Sequence, residues 1–362
     1  MTLDRYLISK YLGTFFFVLA VFSLIVIAID FSEKVEDFIE QPCTKWEILT
    51  QYYPGFIFHM AGLLMPLYAL IAVVFFTSRL AYNSEIIAIL NAGVSFRRLL
   101  RPYLVAGGLL CGLHLLLGHF LIPTMNKVRL KFEHTYICRD KANCDEVKTS
   151  NLHLFIGPET KVFMKYYQRE DSSARDFRLE QFHDGRLVSL LDAKQARWMP
   201  KEQKWQLSFW TRRDFDGIHE KIFLGQATPI DTAINLQPRD LIRYKNANEL
   251  LTTPELEATI AIDRSRGLAN KQFEIEKYRR TCDAVTILIL TVIGVAVASR
   301  KVRGGMGLHL AIGIGIGALF ILLSKFAVSF AASGSVSPAI GMWIPNLIFI
   351  AVAIWLVAHA QK

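Results

Sequence analysis

The sequence predicts an α-helical membrane protein with six transmembrane helices and an all-β, jelly-roll-like domain inserted between the third and fourth. Three observations predict it. Of the 362 residues, 52% are hydrophobic, and the mean hydropathy is +0.30. That is high for a soluble enzyme and low for a chain made only of spanning helices. Six apolar stretches approach the roughly 20 residues needed to cross a bilayer. A long stretch between the third and fourth of these alternates apolar and polar residues with period two.

The six stretches are residues 11–29, 55–77, 103–122, 284–299, 308–332 and 339–359. The fourth is the shortest. The first lacks an A-x-A-type cleavage site and is expected to be a retained helix rather than a signal peptide. The chain carries a net charge of +9, but its distribution argues against a nucleic-acid partner. Arg5, Lys10, Arg79, Arg97, Arg98, Arg101, Arg300, Lys301, Arg303 and Lys362 flank helix ends on one side, opposed there by Asp4 and Glu85. The opposite loop, residues 30–54, holds six acids against Lys34 and Lys45. The positive-inside rule then places both termini in the cytoplasm and the insert outside it. Attraction of the basic residues to anionic lipid is the weaker second reading.

The insert reads as strands at "KVFMKYY" (161–167), "DFRLEQF" (176–182), "RLVSLLDA" (186–193) and "KWQLSFW" (204–210), punctuated by Asp184-Gly185 and Pro200-Lys201-Glu202. Many short strands at this spacing suggest a sandwich or jelly roll. Phe155, Val162, Met164, Phe177, Leu179, Leu187, Val188, Leu207 and Phe209 are expected to fill its core; in an open sandwich the same residues would hold acyl chains. Residues 253–281 turn helical and lead into the fourth span. The expected organisation is 1–122 for the first three helices, 123–281 for the β domain with its connecting helix, and 282–362 for the last three. Of five cysteines, Cys138 and Cys144 lie in the external "CRDKANC". In an oxidising compartment they could close a small loop worth about 2 kcal/mol. No further ligands stand nearby to complete a four-ligand zinc site.

Between the second and third spans lies "RLAYNSEIIAILNAGVSFRRLLRP" (79–102). Asn83 or Ser84 can cap a helix, Glu85 sits in its first turn where the dipole favours an acid, and Gly93 suits its stop. About nine residues of helix within 83–92 would be roughly 13 Å long, far too short to span. It either lies in the interface with a capping carboxylate, or it is a coupling helix that docks in a groove of a separate motor subunit. In the second case Glu85 would pair with a base of that subunit, fixing register more than adding affinity. The candidate coupling residues are Arg79, Ser84, Glu85 and Gly93.

"LDRYLISKYLGTFFF" at the start, "SEIIAILNAGVS" and "GVAVASRKVRGGMGLHLAIGI" (294–314) resemble the lipopolysaccharide export permeases of the LptF/LptG family. The LptG-type branch is the nearer, in a Bacteroidetes-type form. The resemblance runs over nearly the whole chain and is strongest in the membrane segments. It implies an inner-membrane subunit paired with a homologous LptF-type permease, above two cytoplasmic ATPase subunits that bind ATP and Mg; no cofactor is implied for this chain. It implies that the complex draws lipopolysaccharide from the outer leaflet of the inner membrane. The lipid would then pass through the periplasmic jelly roll to a single-helix periplasmic bridge protein. The acid that meets the ATPase corresponds to Glu85. Family substrate contacts include lysines at the outer end of the first helix; the matching "DFSEKVEDFIE" (30–40) is mainly acidic, with Lys34 its only base.

No G-x-x-x-x-G-K-[ST], H-E-x-x-H or G-x-S-x-G is present, which argues against an intrinsic enzyme. "KVRGGMG" (301–307) has glycines without the strand–loop–helix context of a phosphate cradle, and His114 and His119 are poorly spaced for shared ligation. Lys325 is the intramembrane charge, roughly 10 Å from the outer end of the fifth helix. It either snorkels to the interface or contacts an anionic headgroup. Lys127, Arg129 and Lys131 after the third helix, and Arg279 and Arg280 before the fourth, are expected at the same level; convergence would make a ring of donors for a phosphorylated glycolipid. Gly313 and Gly317 form a G-x-x-x-G face that packs either within the chain or against a partner. The competing readings are a membrane-anchored receptor or scaffold with a ligand-binding β domain, and a glycolipid-modifying enzyme, which the missing motifs disfavour.

Overall fold

The computed structural model describes residues 2–40, 42–137, 150–168, 171–225, 228–232, 234, 236–241, 247–265, 271–300 and 305–360. Cys138 and Cys144, and residues 301–304 of the glycine-containing turn, lie outside the described residues. The chain divides into two compact units. One comprises Met1–Ile137, Asn248–Glu257 and Lys271–Lys362, the other Cys138–Ala247 and Ala258–Asn270.

The first unit contains all six long apolar helices: α1 (Thr2–Glu40), α2 (Lys45–Tyr82), α4 (Phe96–Ile137), α6 (Lys271–Ala298), α7 (Gly305–Ser333) and α8 (Pro338–Ala358). The short α3 (Glu85–Asn91) joins α2 to α4. The connecting helix α5 (Thr253–Ser265) precedes α6. The fourth span, the shortest apolar run, belongs to the interior helix α6, which packs against α2, α4 and α8. Its Ile287, Leu290 and Ile293 are buried with Leu70 and Val73 of α2 and Tyr11 of α1. An interior helix contacts other helices rather than lipid, so it tolerates polar residues that pair with neighbours. Tyr11 Oη lies 2.9 Å from Thr291 Oγ1, Thr286 Oγ1 donates to Asn346 Oδ1 at 2.8 Å, and Asn346 Nδ2 donates to the Cys282 carbonyl at 3.0 Å.

Small residues let the backbones close. A Cβ on Gly294 would stand 2.4 Å from Val73, on Gly317 2.5 Å from Leu67, and on Gly313 3.0 Å from Val74. The G-x-x-x-G face of α7 therefore packs on α2 of the same chain. By contrast, Phe16, Phe17, Leu24 and Ile29 of α1 are exposed, as lipid-facing side chains are.

The second unit is built on one antiparallel seven-stranded sheet: β1 (Ser150–Gly157), β2 (Thr160–Gln168), β3 (Ser173–His183), β4 (Arg186–Met199), β5 (Lys204–Asp216), β6 (His219–Gly225) and β7 (Ile230–Thr232). The strands β1 to β6 pair in chain order, and β7 pairs with β5. Asp184 and Gly185 turn β3 into β4 with φ 48° and 76°, the left-handed pair that a tight hairpin needs.

A crease crosses five strands at one row. The flanking pairs place Asn151, Lys165, Asp176, Lys194 and Phe209 opposite one another in succession. Asn151, Asp176 and Phe209 have φ near 50°. On either side of the row the buried parity changes: Val162 and Met164, then Tyr167; Ala174, then Phe177; Ala193, then Ala196. A one-residue slip turns a strand's side chains to the other face. Here neighbouring strands slip together, so the pairing register survives. Val162, Met164, Phe177, Leu179 and Leu207 are buried as expected, around Trp205, whose Nε1 donates to the Leu236 carbonyl at 2.8 Å. Phe209 lies in the crease and is 58% exposed. Phe155 and Val188 are also exposed and Leu187 half-buried; Phe155 borders a register shift, and the other two follow one at Gln181/Phe182.

Candidate functional site

The first candidate region is α3 and its flanks. The helix has seven residues, shorter than 83–92, because Ser84 takes φ 63° and starts it at Glu85. The Ser84 side chain accepts no first-turn hydrogen bond, so the N-terminal charge preference rests on Glu85. Tyr6 Oη donates to Glu85 Oε2 at 3.5 Å, and Asn83 Nδ2 donates to Oε1 at 3.4 Å. Gly93 ends the segment at φ 87°, its N–H donating to the Leu90 carbonyl. Ile86 is fully buried, with Ile89 and Leu90 packed on the same core, while Ala88, Asn91 and Ala92 face outward. Arg79 is exposed. Arg98 makes a two-pronged bond to Asp4 at 2.9 and 2.7 Å, tying the start of α4 to the start of α1. The apolar residues thus seat the helix, and a half-exposed carboxylate stands at its front.

The second region is a cavity of about 180 Å³ at the opposite end of the helices, between α2, α4, α6 and α7. Arg279, Arg280 and Lys325 line it, and so do Glu249, Glu276, Asp283 and His59. Glu276, Arg279, Arg280 and Asp283 stand at i, i+3, i+4 and i+7 on α6, one helical face. Arg280 is committed to its own chain. Its guanidinium donates to Glu276 Oε1 at 3.0 Å, Thr253 Oγ1 at 3.1 Å and the Asn248 and Leu251 carbonyls. Arg279 lies 2.7 Å from Glu276 and 3.8 Å from Glu249. Burial pushes the Glu249 carboxyl up from the usual range, and the Arg279 charge opposes the shift. Lys325 is exposed, with no hydrogen bond or ion pair to a described residue. Three cations therefore face three carboxylates, and the cavity can hold a polar or ionic group in a setting otherwise fit for hydrocarbon.

The other predicted cations do not line this cavity. Lys127 pairs with Glu255 at 2.7 Å, a contact that, with the Thr252 N–H, holds the Glu255 carboxyl below its usual range. Lys34 and Arg129 both approach Glu133, at 3.6 and 3.7 Å, and Lys34 also contacts Asp30 and Tyr52. Lys131 is exposed. Sequence reasoning missed the acids. The "EKYRRTCD" spacing at 276–283 could have revealed all four α6 charges as one face; Glu249 and His59 come from distant segments and carry no local signal.

Six helices long and apolar enough to cross a membrane, a polar cavity among them and an inserted antiparallel sheet define a multi-pass membrane protein. The chain belongs to the LptF/LptG family: the model of the lipopolysaccharide export system permease LptF/LptG matches residues 5–359. It is thus an inner-membrane protein of the family that forms the permease of lipopolysaccharide export. No curated protein matches the chain.

Proposed function

We propose that this chain is the LptG-type permease of an ATP-driven exporter that extracts lipopolysaccharide from the outer leaflet of the inner membrane. It pairs with a homologous LptF-type permease and sits on two cytoplasmic ATPase subunits, which bind the ATP and Mg. The β domain lies in the periplasm and passes the lipid to a single-helix bridge protein. The observation that carries this reading is α3: a short helix seated by Ile86 on the membrane core, with Glu85 half-exposed at its front, on the side where the helix-end arginines collect. Glu85 is the contact to the motor, and Arg79, Ser84 and Gly93 shape its surroundings. At the other end, Lys325 is the cation open to a lipid phosphate, with Arg279, itself paired with Glu276 at 2.7 Å, beside it in the cavity, while Arg280 holds the site together.

Co-purification tests it. The wild-type chain, expressed with its neighbouring genes, should bring down a nucleotide-binding subunit. Glu85→Arg should reduce that recovery at least tenfold while leaving the melting temperature of the chain unchanged. Equal recovery with Glu85→Arg would remove Glu85 from the contact, and a wild-type chain that brings down no nucleotide-binding subunit would refute the exporter assignment.

A further inference from the structure

A groove of about 390 Å³ runs between α4, α6 and α8, away from the polar cavity, on the α3 side. That volume lies within the roughly 300–1,000 Å³ of sites that hold small molecules. Its wall is apolar, with Leu104 of α4, Leu288 and Val292 of α6, and Ile354 and Val357 of α8; among the described residues Arg97 is the one charged residue lining it. Arg97 is at the first turn of α4, and Ala358 at the last residue of α8 also borders the groove. Leu288 lies ten residues before the end of α6, about 15 Å inward. That depth is half of the roughly 30 Å hydrocarbon core, one leaflet.

The arginines at this end are not equivalent. Arg98 is bound by Asp4, and Arg300 donates to the His359 carbonyl. Arg97 and Arg101, one turn apart, are exposed, with no hydrogen bond or ion pair to a described residue. The same face of α4 continues through Leu104 to Gly108, where a Cβ would meet nothing within 4 Å. An open cation at the mouth and a dry channel one leaflet deep match an anionic headgroup joined to an acyl chain. A crossing helix from a partner would need the whole bilayer thickness, which the groove does not offer.

We infer that this groove is a binding site for an anionic phospholipid of the α3-side leaflet, with the phosphate at Arg97 and one acyl chain along Leu104, Val292 and Val357. The lipid is a resident of the permease and is distinct from the exported substrate, so the inference stands or falls independently of the export reading.

Native mass spectrometry of the purified complex, stripped of lipid and titrated with phosphatidylglycerol or phosphatidylcholine, tests it. One phosphatidylglycerol per chain should be retained at least fivefold more than phosphatidylcholine. Arg97→Gln should bring that ratio to about one, and Val292→Phe, which fills the groove, should abolish retention of both. Equal retention of the two lipids by the wild type, or an unchanged preference in Arg97→Gln, overturns the proposal. So does a complex in which Val292→Phe releases a partner subunit without changing lipid retention, since a protein would then be the occupant. If Val292→Phe fails to fold, the wild-type and Arg97→Gln titrations decide.

Discussion

Arg280 and Lys325 line one cavity with opposite commitments. The guanidinium of Arg280 is spent on Glu276, Thr253 and two carbonyls, so Arg280→Ala takes from the buried Glu276 one of its two arginine partners, Arg279 remaining at 2.7 Å, and leaves two carbonyls without their donor. Unsatisfied buried polar groups cost about 1–3 kcal/mol, and thermal unfolding of the purified chain should show a clear fall in melting temperature. Lys325→Ala removes a side chain with no partner among the described residues, and its stability cost should stay within about 0.5 kcal/mol. Lipopolysaccharide-stimulated transport should nevertheless fall; unchanged transport would take Lys325 out of the substrate path. In the sheet, the Arg212 and Ser189 hydrogen bonds hold the Asp214 carboxyl below its usual range. A depressed carboxyl contributes stability above its unfolded value, and that contribution is lost as pH falls through the folded value. Amide exchange of β4 and β5 should therefore accelerate below about pH 4, and Asp214→Asn should blunt that acid response. The sequence displayed Glu85 and Lys325 because a lone charge in an apolar run is visible without a fold. It hid the role of Arg280, whose partners at Asn248, Leu251 and Thr253 are some 30 residues away.

At the scale of elements, the α6–α2 seam depends on Gly294. Valine there would place its Cβ against Val73, a stiff β-branched neighbour. Overpacking of this kind costs about 1–3 kcal/mol, so Gly294→Val should lower the melting temperature, whereas Gly315→Val, with open space around it, should not. The crease makes a second contrast. Phe209 has φ 54°, a conformation that costs an L residue about 1–2 kcal/mol. Phe209→Gly should be neutral or stabilising by amide exchange of β4 and β5, while Phe177→Ala, in the core, should cost about 3–5 kcal/mol. Spanning helices were legible because twenty apolar residues have few other uses. The β alternation was legible too, but only up to the crease: strict period two assigns Phe209 to the core, and nothing in "WQLSFWT" announces that neighbouring strands slip at one row.

At the scale of the molecule, the six spans, the inserted sheet and the family were readable from apolar length, alternation and the membrane-segment motifs. The cavity was not, because its acids and cations come from α6, α7 and the 248–255 segment, which only the fold brings together. The account rests on sidedness, with α3 toward the cytoplasm and the sheet beyond the opposite face of the membrane. Labelling by a membrane-impermeant maleimide measures that directly. Ala88→Cys on the outward face of α3 and Lys201→Cys in the exposed β4–β5 turn would each be placed in a chain otherwise free of cysteine. Ala88→Cys should label only in inverted membrane vesicles and Lys201→Cys only in right-side-out ones; labelling of both from the same side would contradict the account.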